Sequence, residues 1–188
     1  MLKVAVLLAD GFEEVEAVTP ADFLRRAGLE VHLISANNVR EVAGNHHITF
    51  VADLFLNEIK ANNYVAVIAP GGMPSAANLA GNPKVISFIE EVAANGGYVA
   101  AICAAPAVVL SKTNLLKDKK FTSFPNRAFK ELMLPFGTYL EERVVVDGKL
   151  ITSRGPGTAA EFSCTLIGLL LNDEAKVKEL FAASLYNF

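Results

Sequence analysis

Several residue types that build metal or disulfide centres are scarce in this 188-residue chain, which has no tryptophan, three histidines and two cysteines. No Cys-x-x-Cys pair and no cluster of histidines and carboxylates at ligand spacing occurs, so the sequence predicts no metal site. The apolar residues 4–9 end at Asp10 and Gly11 without a cleavage site, which predicts a strand rather than a secretory signal. With two cysteines and no such signal, we expect a cytoplasmic protein.

Long runs of one residue class are missing as well. The formal net charge is -3, and the longest basic segment is Lys117 to Lys120, so nucleic acid is not an expected partner. No apolar run reaches the roughly 18 residues that cross a bilayer, so no membrane partner is expected. The length and the 52% hydrophobic content fit one buried core, and we expect a single domain over residues 1–188.

Short apolar runs alternate with helical patterns along the chain. This alternation predicts an α/β fold in which helices cover both faces of a mostly parallel sheet, with a small β-hairpin in the C-terminal third. In such folds, ligands collect at the carboxyl ends of the strands. The runs predict strands at Val4–Ala9, Glu30–Ser35, Ile48–Ala52, Tyr64–Ala69, Tyr98–Ile102, Phe121–Phe124, Arg143–Val146 and Leu150–Ser153.

Cys103 lies where the apolar strand Tyr98–Ile102 gives way to helix-forming residues that begin at Ala104. A thiol in this position faces the free N–H groups of the next helix, which favour the thiolate. The N–H of Ala104 is placed like the oxyanion donor of a strand-turn-helix nucleophile elbow. The alternative is an inert buried thiol, since free cysteine is among the most buried residue types. Cys164 lies inside an apolar helix, and we expect it to be such a core residue.

Glu16 lies on the face of its helix that should pack against the sheet, because steps of three and four residues lead from it to apolar positions. Burial raises the pKa of a carboxyl group, so we expect a protonated Glu16 that donates a hydrogen bond to an anionic neighbour. We expect Asp10 and Glu13 to cap the same helix through their side chains.

Gly71 and Gly72 follow the predicted strand Tyr64–Ala69. Two glycines at this position let the backbone approach a ligand and turn its N–H groups into a cleft. The alternative is a plain turn. The third glycine of a dinucleotide fingerprint is missing, so the case for a nucleotide site is weak.

Four segments together resemble the ThiJ/PfpI superfamily, in the branch of the DJ-one (parkinsonism-associated protein deglycase) and YajL proteins. The resemblance covers nearly the whole chain, and its motifs are specific in combination. It implies a flavodoxin-like three-layer sandwich in one ThiJ/PfpI-type domain, related to the class I glutamine amidotransferases. The segments are Gly11 to Glu16, Pro70 to Gly72, Ala100 to Pro106 and Ser153 to Thr158.

By this resemblance Cys103 matches the reactive cysteine of the family, and Glu16 matches the protonated glutamate that hydrogen-bonds it. The backbone donors of the pocket match Gly71, Gly72 and Ala104. Two further residues, Arg26 and His46, match positions where the family gathers polar groups near the pocket, His46 from a partner subunit.

Two departures from the family pattern limit the expected chemistry. Some relatives have a histidine where this chain has Phe124, and the peptidase-like members follow the cysteine with a histidine where this chain has Ala104. Without a histidine base, the usual Cys-His activation is missing, so peptidase activity is not expected.

The resemblance therefore implies a cofactor-independent glyoxalase or deglycase. Its substrates would be methylglyoxal, glyoxal or their early adducts on protein, and it would form a homodimer. The alternative is a redox sensor and stress-responsive chaperone, in which Cys103 is oxidised without turnover. A third reading, a nucleotide- or flavin-binding domain of the same fold, requires a bound ligand.

Overall fold

The computed structural model describes residues 1–186, so the predicted domain, residues 1–188, extends two residues beyond the described part. The strands of the described chain are Lys3–Leu8 (β1), Glu30–Ser35 (β2), Glu41–Ala43 (β3), Thr49–Val51 (β4), Leu54–Phe55 (β5), Ala66–Ala69 (β6), Tyr98–Ile102 (β7), Lys120–Phe121 (β8), Thr138–Tyr139 (β9), Val144–Asp147 (β10) and Leu150–Ser153 (β11). Its α-helices are Glu14–Arg26 (α1), Ser75–Ala80 (α2), Pro83–Ala94 (α3), Ala105–Val108 (α4), Arg127–Met133 (α5), Ala159–Leu171 (α6) and Glu174–Ala183 (α7).

Seven strands form the central sheet in the order β10-β11-β7-β6-β1-β2-β5. All neighbouring pairs are parallel except β10 and β11, which form the predicted hairpin and extend the sheet at one edge. The predicted α/β class and its mostly parallel sheet are therefore confirmed.

The core lies on both faces of this sheet, because successive side chains of a strand point to opposite sides. In β1, Val4, Val6 and Leu8 pack with the cluster that contains residues of α1 and α6. Ala5 and Leu7 pack with the cluster that contains residues of α2, α3 and α4. These buried alternating side chains make the three layers.

The parallel register brings four turns to one edge of the sheet. Val6 pairs with Ile68, Ile68 pairs with Ala100, and Ile102 pairs with Ser153. The segments that follow β1, β6, β7 and β11 therefore emerge side by side, as the sequence predicted for the carboxyl ends of the strands.

Three local predictions need correction. The strand predicted at Ile48–Ala52 forms as β4, but it pairs with β3 in a separate hairpin, and the edge strand of the main sheet is β5. The strand predicted at Phe121–Phe124 is wrong beyond Phe121, since β8 ends there and pairs with β9 outside the main sheet. The expected side-chain caps of α1 do not form: Asp10 accepts a hydrogen bond from the N–H of Ala43, and the N–H of Glu13 donates to the carbonyl of Gly71. Within the described residues, no helix combines the length and apolar character needed to cross a membrane.

Candidate active site

Cys103 forms the turn between β7 and α4 in a conformation that is uncommon for a residue with a side chain. Its φ angle is +65°, in the left-handed region that costs a non-glycine residue free energy. Two backbone hydrogen bonds hold it: its N–H donates to the carbonyl of Ser153 at 2.9 Å, and its carbonyl accepts from the N–H of Phe124 at 2.8 Å. The turn therefore presents the thiol at the carboxyl edge of the sheet, as a nucleophile elbow does.

The Cys103 sulfur is partly exposed and faces three groups. The backbone N–H groups of Gly72 and Ala104 are within hydrogen-bonding range of it and favour its negative charge, and the carboxyl group of Glu16 lies against it. The structure thus brings together four of the residues that the sequence had selected.

Glu16 is fully buried beside this thiol. Its Oε2 accepts a hydrogen bond from the N–H of Gly71 at 2.8 Å, while its Oε1 has no hydrogen-bond partner among residues 1–186. Burial raises the pKa of Glu16 from 4.5 to about 7, against the opposing effect of hydrogen bonds from Cys103 and Gly71. A group with this pKa exchanges a proton readily at neutral pH.

The expected lowering of the Cys103 pKa is not observed. Burial and the negative charge and hydrogen bond of Glu16 raise the pKa of the thiol, and the N–H groups of Ala104 and Gly72 offset this only in part. Both groups of the pair are therefore harder to ionise than usual, and they do not carry two negative charges near neutral pH. The two groups titrate as a coupled pair: Glu16 ionises first, and the pair then keeps one proton, on the thiol.

Gly71 closes the site from the side of β6. A Cβ atom at this position would lie 2.6 Å from Glu16 Oε2 and 2.7 Å from the Cβ of Cys103. Because its N–H is already donated to Glu16, Gly71 positions the carboxyl group, and the donors that face the sulfur are Gly72 and Ala104. Gly72 has a φ angle of +88°, which suits glycine.

Phe124 and Gly155 form another side of the site. The Phe124 ring lies 3.4 Å, and Glu16 Oε1 lies 3.9 Å, from the position that a Cβ at Gly155 would take. Phe124 itself is exposed, so it borders the site. The phenyl ring supplies no proton acceptor, which leaves Glu16 as the acid-base group in contact with the thiol.

Arg26 does not join the site. It lies in the last turn of α1, pairs with Asp22 at 2.7 Å and is exposed. Since α1 rises about 1.5 Å per residue, Arg26 is roughly 15 Å from Glu16 along the helix. The family resemblance predicted Arg26 near the pocket, but its guanidinium group does not lie near the thiol of its own chain.

His46 lies at the rim, where it joins a carboxylate clamp. Glu14 is buried at the start of α1, and its Oε1 accepts from the backbone N–H of His46 at 2.7 Å while its Oε2 lies 2.9 Å from His46 Nδ1. Although burial opposes it, hydrogen bonds from His46 and from backbone N–H groups lower the pKa of Glu14. The hydrogen bond to Glu14 and the charge of Glu13 raise the pKa of His46.

The same clamp places together three side chains that could bind a metal ion, an arrangement that the sequence did not predict. One ligand atom from each of Glu13, Glu14 and His46 lies within 4.8 Å of the others. Both Glu14 oxygens, however, already accept hydrogen bonds from the segment between β3 and β4. We therefore describe the cluster as a structural clamp.

Cys164 differs from its prediction as a fully buried core residue. It is half-buried in α6 and packs at the margin of the core. Burial and the nearby Glu161 raise the pKa of its thiol. Within the described chain, the backbone N–H donors and the hydrogen-bonded glutamate of Cys103 have no counterpart at Cys164.

Sequence reasoning missed the backbone groups that hold the Cys103 turn. Ser153 and Phe124 act through their main chain, which no residue type announces. No sequence pattern indicated the role of Glu14, because its partners lie about 32 residues later in the chain. The helical spacing of Glu16 and the strand-to-helix position of Cys103 identified side chains of the site without a family motif.

Comparison with known proteins agrees with this geometry. The sequence profile of the DJ-1/PfpI family matches residues 2–169. The chain is 39% identical over 165 residues to protein DJ-1 homolog B of Arabidopsis thaliana, covering 88% of this chain and 37% of that protein. It is 36% identical over 176 residues to the protein dj-1beta of Drosophila melanogaster, covering 93% of this chain and 92% of that one. The chain thus spans well under half the length of the Arabidopsis relative.

Solved structures show the same fold over the full chain. A cysteine-to-alanine variant of a DJ-1 superfamily protein from Salmonella typhimurium has a TM-score of 0.93 at 39% identity, and covers 100% of both chains. Oxidized DJ-1 of Toxoplasma gondii has a TM-score of 0.93 at 34% identity, again over 100% of both chains. These similarities confirm the predicted superfamily and fold.

Proposed function

The chain belongs to the DJ-1/PfpI family, and from this premise we propose that it is a cofactor-independent glyoxalase or deglycase that acts on methylglyoxal, glyoxal or their early adducts on protein. The observation that carries the proposal is the buried contact between Glu16 and the Cys103 thiol. A nucleophile and an acid-base group that share one proton are the minimum machinery for addition to an aldehyde.

The first step is attack of the Cys103 sulfur on the aldehyde carbon. A carbon–sulfur bond forms, the thiol proton passes to the Glu16 carboxylate, and Glu16 then gives this proton to the aldehyde oxygen, which yields a hemithioacetal and an ionised Glu16. The N–H groups of Gly72 and Ala104 face the sulfur, and they offer donors close to the oxygen on which charge develops.

The second step moves a proton and conserves electrons within the substrate. Glu16 removes the proton from the former aldehyde carbon and returns it to the neighbouring ketone carbon, while the hydroxyl proton of the hemithioacetal moves to the ketone oxygen. The first carbon is oxidised to a thioester, and the second is reduced to an alcohol. Water then cleaves the thioester, so methylglyoxal plus water gives lactate and the free thiol, with no external oxidant or reductant.

A pair of cysteine variants tests this proposal. Cys103→Ser removes the nucleophile, and we expect it to abolish methylglyoxal consumption and lactate formation in the absence of glutathione. Cys164→Ser is the matched control, since it changes the other half-buried thiol, and it should retain turnover. Full activity of Cys103→Ser, or no lactate from the unmodified protein, contradicts the glyoxalase assignment.

A redox role is the second candidate, and the environment of the sulfur supports it. Peroxide would oxidise the thiolate stepwise to a sulfinate, with water as the product of each step. The N–H groups of Gly72 and Ala104 and a protonated Glu16 are suitable donors to the sulfinate oxygens. One relative of known structure, from Toxoplasma gondii, is described as oxidized DJ-1. Peroxide-dependent chaperone activity without methylglyoxal turnover would favour this role.

We also propose that the protein forms a homodimer in a reducing cytoplasm. Exposed apolar side chains lie on α1 and on the neighbouring hairpin, at Val15, Val18, Ile48 and Val51, and a second copy would cover them. Both cysteines are free, which suits a reducing compartment. Sedimentation of the unmodified protein beside Val51→Glu tests the dimer: we expect a dimer for the first and a larger monomer fraction for the second.

A further inference from the structure

A small pocket with basic walls lies next to the Cys103 turn. It has a volume of about 120 Å³, and its lining includes Arg127, Lys130, Arg154, Tyr139 and Glu141; we call it the basic pocket. Since liquid water occupies about 30 Å³ per molecule, this volume accommodates a carboxylate or a phosphate group. Three cationic side chains against one carboxylate give its walls a positive balance.

Arg154 is the least satisfied of these cations. Its Nε is buried and has no hydrogen-bond partner in the described chain, and its Nη1 makes one long contact of 3.4 Å with the carbonyl of Glu141. A buried charged donor without an acceptor is costly. The planar guanidinium group offers paired donors that match the two oxygens of a carboxylate or a phosphate.

The other two cations, Lys130 and Arg127, line the pocket and are paired with carboxylates. Lys130 Nζ lies 3.1 Å from Glu141 Oε1 and 5.1 Å from the centre of the Tyr139 ring. Arg127 pairs with Glu131 at 2.7 Å, and its side chain is 91% exposed. These exposed pairs are weak, so both cations can turn toward an anion bound at Arg154.

Two backbone contacts connect the basic pocket with the thiol. Phe124 donates its N–H to the carbonyl of Cys103, and the next residue, Pro125, lines the pocket. Ser153 accepts the N–H of Cys103, and the next residue is Arg154. The pocket thus begins one residue beyond each of the contacts that hold the nucleophile.

We propose that the basic pocket is an oxyanion subsite that binds the carboxylate or phosphate group of a carbonyl compound whose aldehyde reaches Cys103. The inference rests on the proposed function, and it narrows the substrate class from neutral to anionic carbonyl compounds. Arg154 is its central ligand, and Lys130 and Arg127 add charge at the mouth.

The test uses two alkylating reagents that differ in charge. Iodoacetate and iodoacetamide both transfer a two-carbon group to the Cys103 thiolate and release iodide, but only iodoacetate carries a carboxylate. Because both reagents react with the same thiolate, the ratio of their rate constants does not depend on its pKa. The rate constants are followed by the mass of the Cys103 peptide. We expect the ratio of the iodoacetate rate constant to the iodoacetamide rate constant to exceed the same ratio for N-acetylcysteine by roughly tenfold, the value of one good charge-assisted contact.

Three variants locate the effect. Arg154→Gln should return the ratio to that of N-acetylcysteine, Arg154→Lys should keep part of the preference, and Arg26→Gln makes the same charge change away from the pocket and should leave the ratio unchanged. If Arg154→Gln does not fold, Lys130→Gln should lower the ratio by a smaller factor. A ratio equal to that of N-acetylcysteine in the unmodified protein, or equal losses in Arg154→Gln and Arg26→Gln, overturns the subsite.

Competing anions identify the preferred group. Inorganic phosphate and acetate are added to the iodoacetate reaction of the unmodified protein, and protection by phosphate or by acetate indicates a phosphate-bearing or a carboxylate-bearing substrate. Absence of protection by either anion contradicts the subsite. Failure of the proposed function is distinct: a protein that prefers iodoacetate but does not consume methylglyoxal has the subsite without that activity, and the reverse pattern leaves the activity without the subsite.

Discussion

Two buried carboxyl groups on opposite sides of the first turn of α1, those of Glu14 and Glu16, have pKa shifts of opposite sign. Glu14 and Glu16 lie two residues apart and are 4% and 0% exposed, yet the pKa of Glu14 is lowered and that of Glu16 is raised to about 7. Glu14 faces the β3–β4 hairpin and accepts hydrogen bonds from it, whereas Glu16 faces one backbone N–H and a thiol. Neither side chain is exposed, but Glu16 is enclosed more deeply and has fewer donors than Glu14. Depth of burial and the number of donors together decide which residue holds structure and which exchanges protons.

Replacing the carboxyl group on the thiol side should have the largest effect. Glu16→Gln keeps the size of the side chain but cannot exchange a proton, and we expect methylglyoxal turnover to fall by about a hundredfold or more. The fold should persist, because the variant removes a carboxyl group that is costly to ionise in its buried position. Lactate formation measures the first effect, and urea unfolding measures the second. Turnover within a few-fold of the unmodified protein would remove Glu16 from the proposed mechanism.

The matching change on the hairpin side should affect stability instead. Glu14→Gln replaces a charged acceptor of several N–H groups by an amide, and we expect the free energy of unfolding to fall by about 1–3 kcal/mol. Turnover at saturating substrate should stay close to that of the unmodified protein at a temperature where both proteins are folded. If Glu14→Gln instead loses turnover as severely as Glu16→Gln, the two sides do not have separate roles.

The pH dependence of stability should have opposite signs on the two sides. Because the pKa of Glu16 is raised from 4.5 in the unfolded chain to about 7 in the folded protein, its ionisation does not affect the free energy of unfolding below pH 4.5. As pH rises from 4.5 to about 7, the unfolded chain ionises more readily and the free energy of unfolding falls. The lowered pKa of Glu14 adds stability above 4.5, and this is lost as pH falls through its folded pKa. In urea titrations from pH 3.5 to 8, the free energy of unfolding of Glu16→Gln should increase relative to that of the unmodified protein as pH rises from 4.5 to 7. The deficit of Glu14→Gln should shrink below pH 4.5, and parallel curves for all three proteins would contradict both shifts.

The smallest effect should come from the exposed half of the clamp. The His46 side chain is 63% exposed, and Glu14 keeps its backbone donors without it, so His46→Gln should destabilise less than Glu14→Gln. Because the pKa of His46 is raised, its contribution is present below its unfolded pKa near 6.5 and is lost as pH rises through the folded value. The free energy of unfolding of His46→Gln should be below that of the unmodified protein at pH 5.5 and equal to it at pH 8.5. A larger deficit at pH 8.5 would mean that the imidazole acts other than through its charge.

Sequence patterns sufficed wherever the cause is local. The strands Tyr98–Ile102 and Glu30–Ser35 have the predicted bounds, because turn residues end each apolar run. The helical spacing of Glu16 predicted its burial. The predicted caps of α1 were wrong because the two side chains have partners far along the chain: Asp10 accepts from the N–H of Ala43, and the Glu13 carboxylate lies 3.6 Å from His46 Nδ1.

The remaining features of the site depend on distant segments. The pKa of Cys103 was predicted from the helix that follows it, but burial against Glu16 outweighs the N–H groups of that helix. The basic pocket joins residues 125–141 to Arg154, and no spacing rule connects them. Arg154 lies within one of the four family segments, which is the one signal that pointed to it.

The left-handed turn at Cys103 has a consequence for the order in which the protein matures. The two contacts that hold it come from Phe124 and Ser153, which leave the ribosome 21 and 50 residues after the cysteine. A nascent chain that has reached only α4 therefore has an unconstrained thiol without its elbow. The nucleophile acquires its geometry when β11 pairs with β7, so the reactive centre is completed only after most of the chain has been synthesised.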